Sequence, residues 1–103
     1  MNQLIEADHL KIIFRLFDTD PVRAQRAERI LQAHLRANGI EARVYQVFEH
    51  LEFSRAGLKG LPALELNGLV LCQEKPLSGE YLADLCTRLA KAKKKVEAAR
   101  GKK

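Results

Sequence analysis

Two cysteines, Cys72 and Cys86, are the only thiols in this 103-residue chain. Thiol–disulfide exchange needs a nucleophilic thiolate and a resolving thiol close by, typically as Cys-x-x-Cys. Cys72 and Cys86 are far apart and neither stands in such a pair. Both have Leu neighbours, the setting of a small buried hydrophobe. Cys86 reads as core. Cys72 reads as a packed strand residue or, as an alternative, a single thiol open to glutathionylation or oxidation. The simplest reading of two separated thiols is a reducing compartment without a structural disulfide.

Other chemistry-bearing residues form weaker patterns. His9, His34 and His50 have no metal-ligand spacing with each other or with the cysteines, so no metal site is expected. His34 lies beside Ile30 and Leu35 in a helical pattern and reads as a partly buried helix histidine. Gly57-Leu58-Lys59-Gly60 resembles no phosphate loop, since it lacks the Lys-Ser/Thr ending and a following helix. Asp18 and Asp20 are near neighbours, and paired carboxylates can do acid–base work. Asp20 precedes Pro21, however, and capping a helix explains it fully. No Ser/His/Asp arrangement emerges, and no cofactor is implied.

These residues sit in a clear series of elements. Lys11–Phe17 (KIIFRLF) is dense in β-branched and aromatic residues and predicts a buried strand. Pro21 then opens a helix running to Asn38. Ala27, Ile30, Leu31 and Leu35 form its buried stripe, Arg23, Arg26, Arg29, Gln32 and Arg36 its polar face, and Gly39 its stop. Ala42–Phe48 predicts a second strand, parallel to the first through a right-handed crossover. Glu49–Leu58 predicts a short helical segment. Ala63–Leu66 and Leu69–Gln73 predict a hairpin around Asn67-Gly68, a pair suited to a turn with both φ values positive. Ser78 caps a last helix to about Lys95, with Leu82, Leu85, Cys86 and Leu89 inward. The expectation is an α/β protein of order β-α-β-(α)-β-β-α, with a four-stranded mixed sheet and helices on both faces.

That order, with a proline opening the third strand, resembles the thioredoxin/glutaredoxin superfamily over about residues 10–90. The residues that carry the resemblance are KIIFRLFDTDPVRAQRAERIL, GLPALELNG and the helix after Leu77-Ser78. The family's Cys-x-x-Cys positions fall on Pro21 and Ala24, neither of which has a sulfur, so dithiol oxidoreductase activity is not expected. The resemblance further implies a cis bond before Pro62 and a peptide groove beside it. Thr19, Asp20, Pro21, Leu61 and Pro62 would then be the binding residues, although a cis bond can equally serve only to shape this corner of the fold.

Charge divides the chain. Residues 1–90 hold eleven basic and twelve acidic groups, whereas residues 91–103 hold seven basic and one acidic. The net charge of +5 therefore lies in Lys91, Lys93, Lys94, Lys95, Arg100, Lys102 and Lys103. The expected organisation is an N-terminal extension over 1–9, a domain over 10–90 and a basic tail over 91–103. The tail reads as a solvated helix end favoured by the helix dipole; binding of nucleic acid or an acidic partner is the alternative and ranks last, because the core shows no basic, aromatic-laced face. No run is apolar enough to span a membrane and no signal peptide is evident, so a cytoplasmic location is expected. The leading functional expectation is a non-catalytic protein- or peptide-binding domain; pairing of two copies through the apolar Leu69–Cys72 edge stands beside it.

Overall fold

The computed structural model describes the backbone of residues 11–101 and the side chains of residues 11–96. The expected extension over 1–9 and the side chains of Arg100, Lys102 and Lys103 lie outside the described residues. The elements are β1 (Ile13–Phe17), α1 (Pro21–Ala37), β2 (Arg43–Val47), α2 (His50–Arg55), β3 (Ala63–Leu66), β4 (Leu69–Gln73) and α3 (Gly79–Gly101). The sheet order is β2-β1-β3-β4. β1 pairs parallel with β2 and antiparallel with β3, and β3 pairs antiparallel with β4.

Strand alternation sends the residues of β1 to two opposite faces, each with its own core. Phe14 and Leu16 face α1 and α3, where they pack with Ala24, Ala27, Leu31, Leu35, Leu64, Leu82 and Cys86. Phe17 turns to the opposite face and packs with Phe53 of α2 and with Ala63. The Phe17 and Phe53 rings meet edge to face at 6.0 Å between centroids, a favoured aromatic geometry. Two helices thus cover one face and one short helix covers the other. Together with the element order and the mixed sheet, this is the thioredoxin-like fold, without an adjacent cysteine pair.

Three details depart from the sequence pattern. β1 begins at Ile13 rather than Lys11, because the Asn67 side chain takes over the ladder there. Its Oδ1 accepts from Ile13 N at 2.8 Å and its Nδ2 donates to Lys11 O at 2.9 Å. The hairpin itself has Asn67 at φ 47° and Gly68 at φ 90°, as a type I′ turn requires. In β4 the register slips, Cys72 facing Leu64 and Val70 facing Glu65, so Leu71 is an extra bulged residue. Finally, α3 continues past Lys95 to Gly101. Lys, Ala, Val, Glu and Arg supply no breaker there, and the compositional change at residue 90 falls inside one helix.

Candidate functional site

The chemistry of this fold would lie where β1 hands over to α1. Asp20 caps α1: its Oδ1 accepts from Val22 N at 3.0 Å and Arg23 N at 3.2 Å, and Pro21 takes the first helical position. Asp18 is fully buried. Its carboxylate accepts four N–H donors: Thr19 N at 2.8 Å, Asp20 N at 3.2 Å, Arg23 Nε at 2.7 Å and Arg23 Nη2 at 2.6 Å. Burial pushes the Asp18 carboxyl up, but the Arg23 pair and the two backbone N–H groups outweigh it and hold it below the ordinary carboxylate range. A carboxylate buried, paired with Arg23 and held in its ionised form this way is a structural anchor rather than a free acid or base. Sequence reasoning missed it, because a contact from the residue after a strand to the third residue of a helix follows neither period.

The start of β3 lies beside this turn. Phe17 pairs with Ala63, so extending that register sets Pro62 opposite Asp18 and Leu61 opposite Thr19. The Leu61–Pro62 bond is cis and Pro62 is buried. Leu61 packs at the edge of the Phe17–Phe53 core. The loop leading here is stitched to the end of β4: Glu74 N donates to Pro62 O at 3.0 Å, and Lys59 N donates to Gln73 Oε1 at 2.7 Å. Among the described residues, neither the N–H nor the C=O of Leu61 takes part in a hydrogen bond. The fold therefore brings Thr19, Asp20, Pro21, Leu61 and Pro62 to one end of the sheet, with Thr19, Asp20 and Pro21 exposed.

Apolar side chains not singled out from sequence ring this end. Val22 is 69 % exposed, Phe48 follows the last residue of the neighbouring β2 and is 40 % exposed, and Leu51 in the first turn of α2 is 62 % exposed. The available signal was periodicity for Val22, which falls off the Ala24–Ala27–Leu31 stripe; Phe48 carried none, since the pattern extends the strand to it while the structure ends β2 at Val47.

Cys72 is elsewhere. It pairs with Leu64 and packs toward the α1–α3 face, two strands from the turn at Asp18. It is partly exposed, and with Lys75, Pro76, Ser78 and Tyr81 it lines a cavity of about 360 Å³. Burial, then the neighbouring Cys72 thiol, push the Tyr81 phenol up to about 12. Cys86 is fully buried, and burial raises its thiol as well.

On the opposite sheet face Arg15 and Glu65 form a forked pair, Nε to Oε1 at 2.7 Å and Nη2 to Oε2 at 3.0 Å, with Glu65 only 5 % exposed. Arg15 also reaches Glu52 and lies 5.0 Å over the Phe17 ring. Its main partner, Glu65, is its cross-strand neighbour in register, a sheet-stabilising role.

Among the described residues there is no group of three or more His, Cys, Asp or Glu placed to hold a metal ion. Nor is any described helix long and apolar enough to cross a membrane. No family model matches the chain, and no curated protein matches it.

Proposed function

We infer that this chain is a non-catalytic thioredoxin-like domain that binds an extended segment of a protein or peptide at the Thr19–Pro21 and Leu61–Pro62 end of its sheet. The observation that carries this is the Leu61 backbone, whose N–H and C=O make no hydrogen bond among the described residues, at the end of the sheet where the Val22 and Phe48 side chains are exposed. Extended peptides dock by main-chain hydrogen bonds with side-chain pockets alongside. The ligand chemistry follows from charge. The N–H groups at the start of α1 are taken by Asp18 and Asp20, so the site favours a neutral or cationic apolar peptide over an anion.

Display selection of random peptides, followed by amide chemical-shift mapping on the full chain, tests the reading. The expected result is perturbation of Thr19, Asp20, Val22 and Leu61. Selected peptides that shift other faces, or no selectable binder, would overturn it.

A single-thiol role for Cys72 is the second reading, favoured by its partial exposure beside the cavity with Tyr81 and Lys75. Peroxide would convert the thiol to a sulfenic acid and water. Peroxide-dependent thiol loss that is unchanged in Cys72→Ser removes this reading. Pairing of two copies through β4 would have to accommodate the Leu71 bulge, a feature that blunts strand edges.

A further inference from the structure

We propose that the outer surface of the α1–α3 layer is a sequence-independent binding face for the phosphate backbone of a nucleic-acid duplex. The inference is separate from the peptide site, which occupies the end of the sheet.

The first observation is segregation of charge. Residues 21–37 and 79–96, the two helices of this layer, carry nine Arg and Lys against three Asp and Glu, whereas the rest of residues 11–96 carries six against seven. In sequence the basic excess looks like a property of the tail alone. The fold joins that tail to the arginine row of α1. α3 packs along α1 on the same sheet face, and Lys93 Nζ donates to Gly39 O at the end of α1, at 3.4 Å. The last described turns of α3 therefore lie beside the Arg36 end of α1.

The second observation is orientation. α1 buries Ala24, Ala27, Leu31 and Leu35, which turns Arg26, Arg29 and Arg36 to solvent. α3 buries Leu82 and Cys86, and Lys91, Lys94 and Lys95 are exposed. None of these six is in an ion pair among the described residues, in contrast to Arg15, Arg23, Arg55 and Arg88. Arg26 and Arg36 are separated by about 15 Å along the helix axis, and packed helices lie about 8–10 Å apart. The cations thus form a band on the order of 20 Å long, the length of about six base pairs.

The third observation selects the polyanion. Base stacking on single strands needs exposed aromatic rings, and the exposed aromatics Tyr45 and Phe48 belong to the β2 region, outside these helices. Entry into a lipid surface needs an outward apolar stripe. Here the apolar stripes of both helices face the sheet, and among the described residues the exposed large hydrophobics on the two helices are Val22 and Val96. Arginine forks suit phosphate oxygens. A duplex backbone is the ligand that uses charge without stacking or insertion.

The test is fluorescence anisotropy of labelled random-sequence duplex DNA with the full chain, between about 50 and 200 mM salt. Six phosphate contacts predict a log–log salt slope of about −5, which is roughly a thousand-fold loss of affinity over that range. Arg26→Glu/Arg29→Glu/Arg36→Glu and Lys91→Glu/Lys94→Glu/Lys95→Glu should each reduce the slope by about half and weaken binding by at least ~30-fold at low salt. Lys59→Glu/Lys75→Glu, outside the layer, should change affinity less than about two-fold. Should a glutamate triple lose its helical circular dichroism, the corresponding glutamine triple takes its place. The proposal is overturned by absence of duplex binding at the low-salt end. It is equally overturned by loss of binding in the α3 variant with the α1 variant unaffected, which would leave only a tail. Tighter binding to phosphatidylserine vesicles than to the duplex would also overturn it, in favour of a membrane surface.

Discussion

Replacing Asp18 tests whether the buried carboxylate holds the β1–α1 turn. In Asp18→Asn the amide oxygen can keep the donors now on Oδ1, but its NH₂ group meets Arg23 Nε, which sits 2.7 Å from Oδ2 in the native chain. One charge-assisted bond is lost outright and the rest become neutral-acceptor bonds. Such bonds contribute about 1.5–3 kcal/mol each. Arg23 is half exposed and can rehydrate, which places the cost near the lower end, about 2 kcal/mol. Asp18→Ala also strands the Thr19 and Asp20 N–H groups and should cost about 3–5 kcal/mol. Against a typical domain stability of about 5–15 kcal/mol, either value is large. Urea unfolding followed by far-ultraviolet circular dichroism reads it, since the chain has no Trp. The pH dependence adds a sign. Asp18 is held below its unfolded value of 3.8, so its contribution is complete above about pH 5 and is lost as pH falls through the lower folded value. The wild type should therefore lose stability in acid more steeply than Asp18→Asn. An Asp18→Asn variant within about 0.5 kcal/mol of wild type, with an unchanged acid limb, would refute this account.

Asp20→Ala removes the α1 cap and should cost about 1 kcal/mol in the same urea assay. Glu65→Ala leaves Arg15 paired only with Glu52 of α2 and should cost about 2–3 kcal/mol, while Arg15→Met/Glu65→Leu should recover most of that loss. Under native conditions a thiol reagent should label Cys72 readily and Cys86 only after urea is added, because Cys86 is fully buried; fast labelling of both would contradict the packing. Pro21→Cys/Ala24→Cys restores the missing motif, yet its first thiol should keep a pKa near the free value of about 8.5, read by thiolate absorbance, because Asp20 already occupies the helix start.

Much of the scaffold is legible in the sequence, since it rests on local signals. Asp20-Pro21 fixes the start of α1, Asn67-Gly68 fixes the hairpin, and the two apolar periods separate strand from helix. Features that need register are not legible. Arg15 and Glu65 meet because β1 and β3 pair at those positions, and nothing local to either residue announces it. The Leu71 bulge and the seating of Lys93 on Gly39 are likewise consequences of tertiary packing. The candidate site divides the same way: Thr19, Asp20, Pro21, Leu61 and Pro62 follow from family resemblance, whereas Val22, Phe48 and the anchoring role of Asp18 emerge only once strand ends are superposed in space.

The lost sulfurs are only part of why this sheet end is unsuited to dithiol chemistry. A helix start activates a thiolate through its unpaired N–H groups and the positive end of its dipole. Here Val22 and Arg23 give their N–H groups to Asp20, Thr19 and Asp20 give theirs to Asp18, and Pro21 has none to give. The nearest cation, Arg23, is turned back onto Asp18. Every group that would stabilise a sulfur anion is thus engaged by a carboxylate, and the added negative charge works against an anionic ligand. The Leu61 backbone, just before β3, makes no hydrogen bond among the described residues. What the turn withholds from chemistry it gives to rigidity: the carboxylates fix the strand–helix junction and make this edge unfavourable to anions.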